Sequence, residues 1–309
     1  MDYSIVIPVY FNETSLVSLF EELHSKVFQF NKHLKGEVIF VNDGSRDNSL
    51  EVLKTLWNQH RNLVKIINLS RNFGQIAALH AGYAHAKGQC IVTMSADLQD
   101  PVVLINDMLK AHFEESFEKV ICTRIARKES WYRSITSKIS YSLVKLLAFK
   151  EMPVGGFDYF LMSARVKDLV IRTYDANPYL QGQVMYVGYE TKFLYYERQA
   201  RHSGESKWNF TRKLTYFIDS VLGYSYFPIR LMSLVGILVS FVGFCYAVFI
   251  VVSFLLYNNP VKGWAPIMIT VLVLGGLQMF LMGIMGEYIW RILSQVRNRP
   301  LYVIEKLIE

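Results

Sequence analysis

Apolar runs of strand length alternate with helical patterns along the N-terminal part of the chain. Runs rich in Val and Ile occur at 3–10, 37–43, 64–70 and 90–97, with a later one at 119–124. Apolar residues with helical spacing occur at 14–30, 49–60, 75–86 and 101–114. Because strands that alternate with helices at this spacing form parallel sheets covered by helices, the pattern predicts an α/β domain.

Polar stretches follow three of the predicted strands. They read YFNE from Tyr10, NDGS from Asn42 and SADLQD from Ser95. In open α/β sheets, ligands bind outside the carboxyl ends of the strands. The three stretches therefore predict a binding site at one edge of the sheet.

Two later segments, Leu231–Tyr257 and Trp264–Gly286, contain no formal charge. Each is long enough to cross the hydrocarbon core of a membrane, roughly 30 Å thick, as a helix. Residues 131–150, which precede them, mix aromatic, aliphatic and cationic side chains. This mixture indicates either an amphipathic helix on a membrane surface or an ordinary packed surface helix.

The charge distribution favours a membrane over nucleic acid as the partner of this basic chain. Hydrophobic residues make up 52% of the sequence, and the formal net charge is +7. Basic residues flank the apolar segments at Arg212, Lys213, Arg230, Arg291, Arg297 and Arg299. Since the loop between the segments holds a single lysine, the positive-inside rule predicts that both termini face the cytoplasm. The N-terminus lacks the basic start of a signal peptide, and the three cysteines show neither metal nor disulfide spacing.

Oxygen-bearing side chains cluster after the strand at 90–97. Asp97 ends this strand, Gln99 and Asp100 follow in a turn before a proline, and Asp43 ends another strand. Carboxylate and amide oxygens are the ligands that Mg²⁺ and Mn²⁺ prefer. The alternative for each single aspartate is a turn former or a helix cap. The P-loop, GxGxxG, HExxH and GxSxG motifs are absent from the sequence. It therefore lacks the usual motifs of dehydrogenases, P-loop kinases and serine hydrolases.

The ordered motifs resemble those of a known enzyme family. The segments IVIPVYFNE, FVNDGSRDNS, LSRNFGQIAALHAGYAHAKG, SADLQDP and RHSGESKW, followed by two apolar spans, are similar to the polyprenyl-phosphate glycosyltransferases of glycosyltransferase family 2. This resemblance implies a GT-A (Rossmann-like) fold, a UDP-sugar donor, Mg²⁺ or Mn²⁺, and undecaprenyl phosphate as acceptor. It also implies inverting transfer of one sugar, with glucose or N-acetylglucosamine as the expected sugar.

The resemblance assigns roles to individual residues. Nucleotide-sugar binding is expected at Pro8, Tyr10, Asn12, Glu13, Asp43, Ser95, Asp97 and Lys207. Metal binding is expected at Asp97 and Gln99, and catalysis at Asp158 and Arg201. Two positions depart from the family pattern, since Ser95 and Asn42 stand where aspartates are common. A serine can hydrogen-bond a sugar hydroxyl but supplies no charge, so Ser95 is expected to position the donor.

Arginines near the proposed interfacial helix are candidates for the acceptor's phosphate. They are Arg124, Arg127 and Arg133. Arginine suits phosphate because its planar guanidinium donates two parallel hydrogen bonds. The alternative is a solvated basic face that contacts anionic lipid headgroups.

The motifs and spans together predict four regions. They are a cytoplasmic GT-A catalytic domain at 1–205, an amphipathic juxtamembrane segment at 206–228, a two-helix transmembrane region at 229–290 and a cytoplasmic tail at 291–309. The expected location is the cell membrane, with several spans and with membrane lipids as neighbours. Small residues in the spans allow close packing within the chain or in a homo-oligomer. The alternative functions are a processive polysaccharide synthase and a non-catalytic membrane scaffold.

Overall fold

The structure is a computed structural model that describes residues 1–124, 152–153, 156–173, 175–176, 178–197, 225, 227–257 and 263–309. The chain forms two compact units. The first comprises Met1–Phe217 together with Pro300–Glu309, and the second comprises Ile218–Arg299.

Strands and helices alternate through most of the described part of the first unit. Its strands are β1 (Tyr3–Val9), β2 (Gly36–Asn42), β3 (Val64–Leu69), β4 (Cys90–Thr93), β5 (Lys119–Arg124), β6 (Tyr159–Ser163), β7 (Thr191–Tyr196) and β8 (Ile304–Ile308). Its helices are α1 (Leu16–Leu23), α2 (Ser49–Gln59), α3 (Gln75–His85), α4 (Leu104–Phe113), α5 (Ala164–Arg172) and α6 (Leu180–Tyr186). The predicted helix at 14–30 is shorter than expected, because α1 continues as a π-helical turn at His24–Phe28.

The described strands form one mixed sheet in the order β7-β5-β6-β4-β1-β2-β3-β8. The prediction of parallel pairing is confirmed for β1 to β4. It also holds for β5 and β7, which are parallel, but it is wrong for β6, which runs antiparallel to β4 and β5, and for β8, which runs antiparallel to β3. Local apolar patterns give no direction to a strand, since direction depends on the connections between distant segments.

Helices cover both faces of the sheet. Alternate residues of β1 point to opposite faces, so Ile5 and Ile7 join the core cluster that contains residues of α1, α2 and α4. Val6 faces α3, where a Cβ on Gly82 would lie 2.3 Å from the Val6 side chain. Glycine at this position therefore lets α3 approach the sheet closely.

The C-terminal segment, which the sequence predicts as a cytoplasmic tail at 291–309, contains a strand of the sheet. Residues Pro300–Glu309 belong to the first unit, where β8 forms an edge of the sheet. Ile308 of β8 packs against the hydrophobic core. Burial of this apolar residue and the strand hydrogen bonds explain why the segment is ordered on the sheet.

The second unit contains the helices α7 (Phe227–Tyr257) and α8 (Trp264–Val296). Ile229–Ser253 and Ile269–Val296 are long and apolar enough to cross a membrane. These are the two apolar helices that the sequence predicts. The proposed interfacial helix at 131–150 lies outside the described residues, as does most of the juxtamembrane segment at 206–228.

Candidate functional site

The polar loops that follow β1, β2 and β4 lie at the same edge of the sheet. These strands are parallel neighbours, with Tyr3 of β1 paired to Gly36 of β2 and to Cys90 of β4. The carboxyl ends of parallel neighbours meet at one edge, so the loops converge there. Asp158 joins them because it precedes β6, which runs antiparallel to β4.

The loops after β1 and β2 are interlocked by hydrogen bonds. The backbone nitrogen of Phe11 donates to Ser45 Oγ at 3.2 Å, and that of Asn12 donates to Ser49 Oγ at 3.0 Å. Phe11 has a φ of 57°, a left-handed conformation that is uncommon for a bulky residue and costs on the order of 1 kcal/mol. The contacts with the second loop hold this strained turn in place.

Tyr10 and Phe11 present an exposed aromatic surface at this edge. Tyr10 is 38% exposed and Phe11 is 44% exposed, and their ring centroids lie 4.6 Å apart in an edge-to-face arrangement. The carboxylate of Glu13 accepts a hydrogen bond from the Asn48 nitrogen at 2.9 Å, so it shapes the loop. Pro8 lies inside β1 and not in the loop where the sequence placed it. It follows the last residue of β1 that pairs with β4.

Asp43 is buried at the end of β2 and holds the loop that follows β3. Its Oδ1 accepts from the Phe73 nitrogen at 2.7 Å, and its Oδ2 accepts from the Gly74 nitrogen at 2.9 Å. Asn72 Nδ2 also donates to Oδ2 at 2.9 Å. Burial raises the pKa of Asp43 above its usual value, although the two backbone donors and Arg71 oppose this shift.

The turn after β4 is organised by two carboxylates and one hydroxyl group. Ser95 Oγ lies 2.7 Å from Asp97 Oδ1 and 3.0 Å from Asp100 Oδ2. Asp97 Oδ1 also accepts from the Gln99 nitrogen at 3.3 Å. Leu98, inside this turn, has a φ of 56°, so backbone strain is present here as it is at Phe11.

A continuous hydrogen-bond network connects this turn with Asp158. Tyr196 at the end of β7 donates its hydroxyl to Asp100 Oδ1 at 2.5 Å, and Arg124 Nε lies 3.3 Å from the same hydroxyl. Arg124 Nη2 then forms an ion pair with Asp158 Oδ2 at 3.2 Å. Burial and the neighbouring Asp100 raise the pKa of Tyr196, so it remains a hydroxyl donor at neutral pH.

Gln181 on α6 orients Asp158 from the other side. Its Nε2 donates to the Phe157 carbonyl at 2.7 Å and lies 3.3 Å from Asp158 Oδ1. Sequence reasoning missed Gln181 and Tyr196. No local motif marks either residue, because each meets the site only after distant segments have folded together.

The structure brings most of the predicted donor and metal residues to one edge, together with Arg124 and Asp158. The remaining candidates, Arg127, Arg133, Arg201 and Lys207, lie outside the described residues. The individual roles of all these residues stay predictions.

Comparison with known proteins decides the family. A sequence model described as glycosyl transferase family 2 matches residues 4–172. The chain belongs to this family. The bactoprenol glucosyl transferase derived from the SfII prophage of Shigella flexneri is 31% identical over 99% of this chain and 98% of its own length. An uncharacterized glycosyltransferase of Bacillus subtilis is 34% identical over 99% of this chain and 94% of its own length. The predicted resemblance to polyprenyl-phosphate glycosyltransferases is confirmed, and the protein is a glycosyltransferase.

A solved structure shares the fold of this family 2 glycosyltransferase. Glucosyl-3-phosphoglycerate synthase from Mycobacterium tuberculosis, in complex with Mn²⁺, UDP-glucose and phosphoglyceric acid, superposes with a TM-score of 0.50 at 15% identity. The match covers 72% of this chain and 79% of that chain. The predicted GT-A fold followed by two apolar helices is confirmed.

The chemistry of the turn after β4 fits a divalent cation that arrives with a diphosphate. Asp97, Gln99 and Ser95 offer oxygen atoms, which Mg²⁺ and Mn²⁺ prefer. Among the residues that the structure describes, no group of three or more His, Cys, Asp or Glu side chains could hold a metal ion. Cation binding at this turn stays a prediction, in which a bound diphosphate would supply the other ligands.

Proposed function

We propose that this glycosyltransferase transfers glucose from UDP-glucose to undecaprenyl phosphate at the cytoplasmic face of the membrane. The observation that carries the proposal is the hydrogen-bond network from Ser95 to Asp158. It joins the turn after β4 to the guanidinium group of Arg124 at the same edge of the sheet. The chain that contains this network continues into two apolar helices. Relatives named bactoprenol glucosyl transferases support the choice of sugar and acceptor.

The donor nucleotide would lie against the loops after β1 and β2. The exposed ring of Tyr10 offers a stacking surface for a base. Asp43 would accept the N3–H of uracil, since a carboxylate oxygen has more than one acceptor position. Asn12 and Glu13 contribute by fixing the shape of these loops.

Asp97 and Gln99 would hold the divalent cation beside the diphosphate. The cation, Mg²⁺ or Mn²⁺, supplies positive charge where negative charge builds up on the leaving diphosphate. Ser95 orients the Asp97 carboxylate through its hydroxyl group. We place Arg201 and Lys207 near the same phosphates because of their charge.

An oxygen of the acceptor phosphate would attack the anomeric carbon from the side opposite the UDP. The new bond joins that oxygen to the sugar, the bond to the diphosphate breaks, and UDP leaves with the electron pair, so the anomeric configuration inverts. Because a phosphate monoester carries negative charge near neutral pH, a strong general base is not needed. Arg124 would bind the acceptor phosphate, assisted by Arg127 and Arg133, and Asp158 would orient the Arg124 guanidinium.

The two apolar helices would place the reaction at the membrane surface, where the acceptor's phosphate is confined. Two crossings return the chain to the side from which it left. Residues on either side of the helical unit, up to Phe217 and from Pro300, belong to the first unit. The catalytic domain and the C-terminal segment would therefore share the cytoplasmic side.

The decisive experiment is transfer by the purified full chain reconstituted in nanodiscs with undecaprenyl phosphate. UDP-glucose, UDP-N-acetylglucosamine and GDP-mannose are tested in parallel, and the lipid products are identified by mass spectrometry. We expect one hexose per lipid from UDP-glucose, with inverted configuration by NMR. A polymeric product would identify a polysaccharide synthase, and neither transfer nor hydrolysis with any donor would identify a scaffold.

A further inference from the structure

The C-terminal strand β8 pairs with β3 beside the donor site. Ile66 is paired with Ile308 and Leu69 with Ile304. The register shifts between Asn68 and Leu69, which leaves Glu305 as an additional residue opposite this step. Such a bulge re-aims a side chain, and bulges are frequent next to active sites.

The bulged residue begins a chain of side-chain hydrogen bonds that runs across the sheet edge. Asn68 Nδ2 donates to Glu305 Oε2 at 2.7 Å, and Asn42 Nδ2 donates to Asn68 Oδ1 at 2.7 Å. Asn42 is 1% exposed and Asn68 is 8% exposed. We call this chain of three residues, Glu305, Asn68 and Asn42, the asparagine relay.

The direction of the relay follows from the chemistry of its end groups. An ionised carboxylate only accepts hydrogen bonds, so Asn68 must turn its NH₂ group towards Glu305. Its oxygen then faces position 42, which must donate. Asparagine can donate there and an ionised aspartate cannot, so the relay explains why Asn42 departs from the aspartate that is common in the family.

The relay ends next to Asp43, and the C-terminal segment also holds the loop that donates hydrogen bonds to the Asp43 carboxylate. Asn42 is joined directly to Asp43 along the chain. The Ser70 nitrogen donates to the Val303 carbonyl at 3.0 Å, immediately before the loop whose Phe73 and Gly74 nitrogens bind the Asp43 oxygens. The C-terminal segment therefore holds both β2 and the loop after β3 at the point where they meet Asp43.

We propose that β8 positions Asp43 for the donor nucleotide, with Glu305, Asn68 and Asn42 acting as positioning residues. This inference rests on the proposed role of Asp43 in binding the base. It makes the segment that follows the two apolar helices a part of the donor site.

The sharpest test reverses the relay. Asn42→Asp should weaken UDP binding roughly 10-fold or more, because it leaves two acceptors facing each other in a buried place. In the double variant Asn42→Asp/Glu305→Gln, the new amide at position 305 donates to Asn68 Oδ1, and Asn68 Nδ2 donates to the new carboxylate at position 42. This variant should bind UDP about 3-fold or more tighter than Asn42→Asp alone. It should stay weaker than the wild type, because the Oδ1 position of residue 42 is buried and has no hydrogen-bond partner among the described residues. Binding is measured by calorimetry on the full chain with UDP and Mn²⁺.

Kinetics separate positioning from general stability. Asn42→Asp should raise the KM for UDP-glucose and leave the KM for undecaprenyl phosphate unchanged. Glu305→Ala, at an exposed residue that folding tolerates, should weaken UDP binding about 3-fold, because water replaces its oxygen only in part. Lys306→Ala, on the exposed neighbour of Glu305, is the matched control and should bind UDP as the wild type does.

Two outcomes are distinguished by the wild type itself. If the wild-type chain binds no UDP, the donor assignment and this proposal both fail. The other outcome is that the wild type binds UDP, Glu305→Ala binds it equally well, and the double variant binds it no better than Asn42→Asp. Only the role of β8 is then overturned.

Discussion

At the residue scale, a hydroxyl group at position 95 separates two carboxylates. Ser95 has one hydroxyl proton, so at any moment it donates to Asp97 or to Asp100. An aspartate there would place three carboxylates within hydrogen-bonding distance and would require a cation to hold them together. Serine therefore lets the turn form without a cation.

Substitution of Ser95 by aspartate should make stability depend on divalent cations. We expect Ser95→Asp to lower the free energy of unfolding in EDTA by on the order of 1–4 kcal/mol, the repulsion of an added charge at this distance. Mn²⁺ should restore the loss. Thermal unfolding in detergent, with and without Mn²⁺, measures the effect, and equal melting of variant and wild type in EDTA would contradict it.

Asp97 should have the largest effect among the residues of this turn. Asp97→Asn keeps the side-chain shape and removes the charge, so turnover should fall at least about 100-fold, as on loss of a major charge-stabilising group. EDTA should do the same to the wild type. Asp107→Asn, at an exposed aspartate on α4, is the control, and full turnover of Asp97→Asn would remove the residue from the metal site.

At the element scale, β7 connects the turn after β4 to Arg124. Tyr196 at its end is 5% exposed and contacts both Asp100 and Arg124. Its ring packs edge-to-face on Tyr159 of β6, with centroids 6.0 Å apart. The ring therefore stabilises the sheet, whereas the hydroxyl group connects the two halves of the site.

Tyr196→Phe separates these two contributions, because it keeps the ring and removes the hydroxyl group. Loss of a hydrogen bond to a charged group is worth roughly 1.5–3 kcal/mol, or about 10- to 150-fold. We expect kcat to fall on this scale, with little change in the KM for the donor. Tyr195→Phe, on the same strand but 68% exposed, should leave kcat unchanged, and equal kcat values for both variants would contradict the prediction.

Helix α3 is joined to α6 through a buried histidine. His80 Nε2 lies 3.1 Å from Gln183 Oε1, and Gln183 Nε2 donates to the Thr173 carbonyl at 3.0 Å. The fixed amide implies that His80 donates from Nε2. Burial lowers the pKa of His80 below its usual 6.5, against the opposing effect of Gln183.

Acid should therefore destabilise the first unit through His80. The unfolded chain binds a proton at His80 below about pH 6.5, whereas the folded chain resists it, so stability is full above that pH and is lost as the pH falls towards the folded pKa. His80→Gln removes this contribution. The melting temperature of the wild type should fall more between pH 7.5 and 5.5 than that of His80→Gln, and parallel curves would contradict the assignment.

At the scale of the whole molecule, two crossings should leave the chain ends on one side of the membrane. The wild type has two buried cysteines, Cys90 and Cys122, and a third, Cys245, inside an apolar helix. Maleimide labelling of an added cysteine is therefore compared with labelling of the wild type. Asn259→Cys, between the helices, should react with an impermeant maleimide in intact cells. Glu309→Cys should react only after lysis, and its labelling in intact cells would contradict the topology.

Local patterns in the sequence predicted the parts of the fold that are local in the chain. The strands β1 to β5 and the polar loops after β1, β2 and β4 follow from apolar runs and turn residues. Contacts between distant segments could not be predicted in this way. Tyr196 meets Asp100 across 96 positions and Asn68 meets Glu305 across 237, and no local pattern encodes such pairs.

The position of β8 in the chain sets the order in which the protein can assemble. Synthesis proceeds from the N-terminus, so β3 leaves the ribosome long before its partner, which follows both apolar helices. Until then β3 is an open sheet edge, a surface that favours wrong pairing and aggregation. On our proposal the relay also forms only then, so a nascent chain acquires its full affinity for the donor nucleotide after both helices have been synthesised.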